Sequence, residues 1–207
     1  MTKKALIMVD IQNDFCPGGA LAVPGGNEVI VPINALAERF WVRGCTIVAT
    51  QDAHPANHKS FASQHPGAQP GDLITLGGLP QVLWPDHCID GSPGAAFNPQ
   101  LRTDLIQKVF KKGTDPNIDS YSGFFDNDKK QATGLSTYLK SQGIAELWVC
   151  GLATDYCVKA TALDALAQGF KVVVYAPGCR AVDLNPGDGQ RALNEMSTAG
   201  CEVVGQI

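Results

Sequence analysis

The chain has 207 residues, 44% of them hydrophobic and 17% charged, with a formal net charge of −4, enough for one domain with a substantial core. Its 16 Lys and Arg are scattered over a mildly acidic chain, which removes electrostatic attraction to nucleic acid or to anionic lipid. No apolar run can span a membrane, the run from Ala5 to Val9 is too short for a secretory signal, and seven irregularly spaced cysteines argue against a disulfide framework and for a reducing cytoplasm.

In chain order, β-branched and apolar runs predict strands at 4–11, 45–52, 105–112, 146–152, 171–176 and 201–205. Helical patterns fall between most of them: Asn27 to Arg43, Leu135 to Gln142, Asp155 to Gln168 and Pro186 to Thr198, each followed by a glycine as stop signal. This alternation predicts an α/β fold with three layers, α/β/α, around a doubly wound, mainly parallel six-stranded sheet. Residues 1–207 read as one domain. The segment from Ala53 to Thr103 breaks the rhythm; it is rich in Pro, Gly, Asn and Gln but carries aromatics and histidines, and reads as an ordered excursion over the carboxyl ends of the strands, where such sheets bind ligands.

Four polar residues mark that rim. Asp10 ends the first strand, Asp52 the second and Lys112 the third, and Cys157 follows the fourth. In a 3-2-1-4-5-6 strand order the first and fourth strands are neighbours, which brings Asp10 beside Cys157 as a base for a nucleophile. A thiol at a helix start is biased toward thiolate, although a buried cysteine is equally an inert core residue. Asp52 and His54, in QDAHPANH, supply one oxygen and one imidazole, and His87, in WPDHC, supplies a second imidazole; the mixture suits zinc, ferrous iron or manganese. Asn13 and Asp14 read as turn-formers.

The motifs MVDIQNDFCPGGALAV, TQDAHPANHKSF, WPDHC, VFKKG, YSGFFDN and GLATDYCVKATALDA, in that order over nearly the whole chain, resemble the nicotinamidase/pyrazinamidase family of the isochorismatase-like cysteine hydrolases. The resemblance implies hydrolysis of nicotinamide, and of pyrazinamide, through a thioester on Cys157, with Asp10 and Lys112 completing a triad. It implies a single divalent metal, zinc ahead of iron or manganese, on Asp52, His54 and His87, with His58 as a further ligand or a neighbour of the metal. It also implies a nicotinamide pocket formed by Phe15, Trp84, Tyr121 and Leu152, and a cis peptide at Leu152–Ala153 that turns the Ala153 N–H, with that of Cys157, toward an oxyanion. Lys111 and Tyr156 depart from the pattern of some relatives. Two other readings stay open at this point: a cysteine amidohydrolase for carbamoyl or ureido substrates, and a flavodoxin-like binding module with an inert Cys157. A homo-oligomer is compatible with the sequence.

Overall fold

The computed structural model describes residues 2–206; Met1 and Ile207, inside the expected 1–207 domain, lie outside the described residues. Six parallel strands form the central sheet: β1 (Lys4–Val9), β2 (Thr46–Asp52), β5 (Lys108–Lys112), β6 (Glu146–Leu152), β7 (Lys171–Arg180) and β8 (Glu202–Val204). Their order is β5-β2-β1-β6-β7-β8, the doubly wound order expected. Ala5 to Val9 of β1 are wholly buried, as a strand covered on both faces requires, and each large aliphatic side chain so buried stabilises the fold by about 1.5–3 kcal/mol.

The helices are α1 (Ile30–Val42), α2 (Leu135–Ser141), α3 (Lys159–Ala167) and α4 (Asp188–Ala199), and each ends within two residues of its expected glycine. Pro32 is tolerated in α1 because it lies in the first turn, where N–H groups lack helical partners. The chain winds one way from β1 to β2 and the other way from β5 onward, so right-handed crossovers put α1 on one face and α2, α3 and α4 on the other. Ser136 on α2 and Gln168 after α3 are hydrogen-bonded at 3.0 Å across that second layer.

Four local expectations differ. The first strand stops at Val9 because Asp10 takes a left-handed backbone, φ 50°, which turns its side chain out of the strand register. The helix expected from Asp155 begins as a π-turn, Thr154–Val158, before α3. β7 runs four residues beyond the expected 176, through Pro177 and Gly178, because its register against β6 shifts between Val149 and Gly151 and frees the proline from the ladder. Between β2 and β5 the excursion contains an antiparallel hairpin, β3 (Leu73–Leu76) and β4 (Leu79–Val82), that the Gly- and Pro-rich composition concealed. Single bridges tie the excursion to the sheet end and to itself: Gln12 with Phe97, His54 with Ile89, and Phe61 with Trp84.

Candidate active site

Strand register brings the rim residues together. Val9 lies opposite Thr50 on one side and Gly151 on the other, and Asp52 lies opposite Lys112. Gly151 permits the close approach that this needs, since a Cβ there would sit 2.1 Å from the Val9 carbonyl oxygen. Asp10 therefore emerges between β2 and the start of the π-turn that carries Cys157.

Lys112 is the hub of the cluster, and it is 2% exposed. Its Nζ lies 2.5 Å from Asp52 Oδ1, 2.9 Å from the Ser120 carbonyl oxygen, 3.0 Å from Asp10 Oδ2 and 3.4 Å from Cys157 Sγ. Donor atoms of Asp10, Asp52 and Cys157 all fall within 4.8 Å of one another. Asp10 receives a 2.6 Å hydrogen bond on Oδ1 from the Thr50 hydroxyl, and its Oδ2 is the one buried side-chain polar atom among the described residues without a hydrogen-bond partner. That oxygen faces Lys112 as a charge and has room for a proton.

Burial dominates the protonation of the group. It pushes the Cys157 thiol well above its usual range, with Lys112 opposing, and so overrides the bias toward thiolate expected of a helix start. It also raises the Asp10 carboxyl, again against Lys112, and the Asp52 carboxyl in the same way. Lys112 itself is held charged: burial alone would lower it, but Asp10 and Asp52 raise it well above an ordinary lysine. The resting thiol is neutral and beside a carboxylate with increased proton affinity.

The second cluster shares Asp52. His54 Nε2 is 3.8 Å from Asp52 Oδ2, and donor atoms of Asp52, His54 and His87 lie within 4.8 Å of one another. His54 Nδ1 is 2.8 Å from the Gly113 carbonyl oxygen and His87 Nδ1 2.8 Å from that of Pro85. A carbonyl only accepts, so each Nδ1 carries the hydrogen and each Nε2 keeps its lone pair. Gly113 permits this, because a Cβ at its φ of 66° would stand 2.3 Å from the His54 ring. Burial lowers both imidazoles to about 4, so they are neutral donors at neutral pH. One carboxylate and two oriented imidazoles fit a divalent metal ion. His58 belongs to an adjoining donor set, with ligand atoms of His54, His58 and Asp119 within 4.8 Å of one another; its Nδ1 also meets Ser60 Oγ at 2.7 Å and its Nε2 the Ile118 carbonyl at 3.3 Å, and its ring packs 4.4 Å from that of His54.

A narrow, partly open cavity lies above both clusters. Phe15, Trp84 and Tyr121 line it as expected, and Ala153 and Cys157 lie at one end. Leu152 does not line it: the side chain is fully buried at the end of β6, and Ala153, after the cis peptide Leu152–Ala153, takes the place in the wall. A wider depression of about 2100 Å³ lies at the opposite, amino end of the sheet, between Lys3, Lys4, Arg39, Arg43, Phe40 and Trp148, far from this chemistry.

Several further residues hold the rim. Gln12, fully buried, spans Asp52 with both ends of its amide, accepting from the Asp52 N–H and donating to the Asp52 carbonyl at 2.8 Å each. Asp14 is more than a turn-former: its Oδ2 accepts the Cys88 N–H at 2.7 Å, tying the Phe15 loop to the His87 loop. Asp119 lines the cavity and accepts from Gln81 Nε2 at 2.9 Å. Polar residues that alternation assigns to turns reveal such roles only when their partners, distant in sequence, are in place.

A doubly wound sheet with a thiol, a carboxylate and an ammonium at its switch point, next to a metal-type donor set, defines a class of hydrolase. The isochorismatase domain model matches residues 4–206. The chain is 52% identical over 200 residues to the nicotinamidase of Escherichia coli, covering 97% of this chain and 93% of that one. It is similar to a solved nicotinamidase/pyrazinamidase of Acinetobacter baumanii, with a TM-score of 0.93, 46% identity and 99% and 96% of the two chains covered. The pyrazinamidase of Pyrococcus horikoshii, solved in complex with zinc, gives a TM-score of 0.80 at 39% identity, with 98% of each chain covered. The chain belongs to the isochorismatase domain family and, within it, to the nicotinamidase/pyrazinamidase group.

Proposed function

We propose that this protein hydrolyses nicotinamide to nicotinate and ammonia, and accepts pyrazinamide, with residues 1–207 acting as one unit whose excursion over Ala53 to Thr103 closes the site. The observation that carries the reading is the Lys112 ammonium, bonded to Asp52, 3.0 Å from Asp10 and 3.4 Å from the Cys157 sulfur, beneath a cavity lined by Phe15, Trp84, Tyr121 and Tyr156. Seven unpaired cysteines support a cytoplasmic setting, and no helix among the described residues is long and apolar enough to cross a membrane.

Cys157 attacks the carboxamide carbon as Asp10 Oδ2 takes the thiol proton, so that the sulfur gains its nucleophilic charge only as the C–S bond forms. Lys112 keeps Asp10 ionised until that moment and stays charged throughout. The N–H groups of Ala153 and Cys157 hold the tetrahedral oxyanion, each worth roughly 3 kcal/mol in comparable acyl-transfer sites. Asp10 passes its proton to the leaving nitrogen, ammonia departs, and a thioester remains. Water, deprotonated by Asp10, cleaves the thioester and restores the thiol. A divalent ion held by Asp52, His54 and His87, zinc by preference, would supply a Lewis-acidic anchor for the ring nitrogen. Phe15 and Trp84 bracket the ring.

The test is ammonia release from nicotinamide, pyrazinamide, benzamide and a ureido substrate, on protein of measured metal content. Nicotinamide is expected to lead. Preference for the ureido substrate by metal-free protein replaces this reading with that of a metal-independent amidohydrolase, and inactivity on all four with a slow, ordinary Cys157 thiol replaces it with a binding module.

A further inference from the structure

The cavity has walls of two kinds. Phe15 and Trp84 are 6% and 5% exposed and form its interior. The residues that reach the surface are Leu21, Tyr121, Tyr156 and Val182, each partly buried. Hydrogen bonds fix all four segments, and the Tyr156 N–H donates to the Ala153 carbonyl at 3.2 Å. Tyr121 accepts on its hydroxyl from Gln81 Nε2 at 3.0 Å and Trp84 Nε1 at 3.2 Å. The Val182 N–H donates to Asp155 Oδ1 at 3.0 Å, and the Leu21 N–H to the Asp14 carbonyl at 3.0 Å.

The Tyr156 side chain packs through its ring. Its ring stands edge-on to Trp84, centroids 4.9 Å apart at 86°, and tilted against Tyr121 at 5.4 Å and 67°. These ring contacts set the position of a wall. Because Tyr156 immediately precedes Cys157 on the π-turn, its ring projects from the same short segment as the nucleophile.

We propose that Tyr156 is the specificity-determining outer wall of the pocket, limiting the acyl group to a single six-membered ring by closing the space beside Trp84 and Tyr121. The inference rests on the amide-hydrolase reading above and extends it to substrate size. The phenyl ring of Tyr156, not its hydroxyl, does the excluding. Burial pushes that hydroxyl up to about 12, so it brings no charge to the mouth at neutral pH.

The experiment compares kcat/KM for nicotinamide and for quinoline-3-carboxamide, which adds a fused ring to the same pyridine amide, in wild type, Tyr156→Ala and Tyr156→Phe. Tyr156→Ala is expected to raise the quinoline-to-nicotinamide ratio about tenfold or more, mainly through a lower KM for the larger amide, as relief of a steric exclusion does. Tyr156→Phe is expected to keep the wild-type ratio. Should Tyr156→Ala turn over neither amide, calorimetric binding of both amides to Cys157→Ala and to Cys157→Ala/Tyr156→Leu gives the same ratio without turnover. An unchanged ratio in the truncated variants, or an equal rise in Tyr156→Phe, overturns the proposal. Failure of the wild type to release ammonia from nicotinamide instead overturns the functional reading on which it rests.

Discussion

The two ends of the central sheet differ in kind. At the amino end, a depression of about 2100 Å³ is bordered by Lys3, Lys4, Arg39 and Arg43; three of these are exposed and Lys4 is partly so. At the carboxyl end, a cavity of about 380 Å³ sits above Asp10, Asp52, His54, His87 and Lys112, each no more than 4% exposed. Size favours the first and chemistry the second. Ionisable groups are costly to bury, so a fold that gathers five of them under an apolar cavity at a switch point has placed its reactive site there. Solvated cations around a larger hollow cost nothing and assign no reaction.

The sharpest attempt to break this contrast is Cys157→Ala, expected to lower kcat/KM for nicotinamide by at least about 10⁴-fold with an unchanged circular dichroism spectrum; retained activity would move the chemistry away from the carboxyl rim. His54→Ala should remove stoichiometric metal and raise KM by about 10- to 100-fold, while alkylation of Cys157 keeps its rate. Unchanged metal content would take His54 out of the donor set.

Acid sharpens the contrast further. Burial holds His54 and His87 neutral to about 4, against 6.5 for an ordinary histidine. Between those values the unfolded chain binds protons that the folded chain refuses, so metal-free protein loses stability as pH falls from 6.5 toward 4, by up to about 3 kcal/mol per imidazole, and the loss flattens below. Urea denaturation of chelator-treated wild type and His87→Asn checks this: the variant should lose less across the window, and identical slopes would mean that His87 titrates normally.

Thr50→Val leaves the buried Asp10 Oδ1 without its 2.6 Å donor and should lower kcat about tenfold with KM nearly constant, with Thr50→Ser restoring the rate. A KM effect of equal size would make Thr50 a packing residue instead. The smallest effect belongs to the other end of the sheet. Arg43→Ala should change kcat/KM by less than about twofold, and a larger loss would require a role for the basic depression.

Much of this was legible without coordinates because two periodicities and a stop signal carry it. Continuous apolar runs at 4–9 and 146–152 specify strands buried on both faces, and the glycines after each helix set the alternation from which the strand order follows. Asp10, Asp52 and Lys112 stood out because a charged residue ending such a run has few reasons to be there. The hairpin at Leu73–Leu76 and Leu79–Val82 did not stand out, since one half contains a proline and neither half is deeply buried.

What the sequence alone determined is therefore the layer order and the residue types at the rim. The protonation state of Cys157, the sharing of Lys112 between two carboxylates, the tautomers of His54 and His87, the replacement of Leu152 by Ala153 in the cavity wall, and the service of Thr50, Gln12 and Asp14 were decided only by the tertiary structure. The reason is physical: local pattern dictates which backbone forms, but the charge on a buried group depends largely on neighbours distant in the chain, as Thr50 is from Asp10 and Asp10 from Cys157.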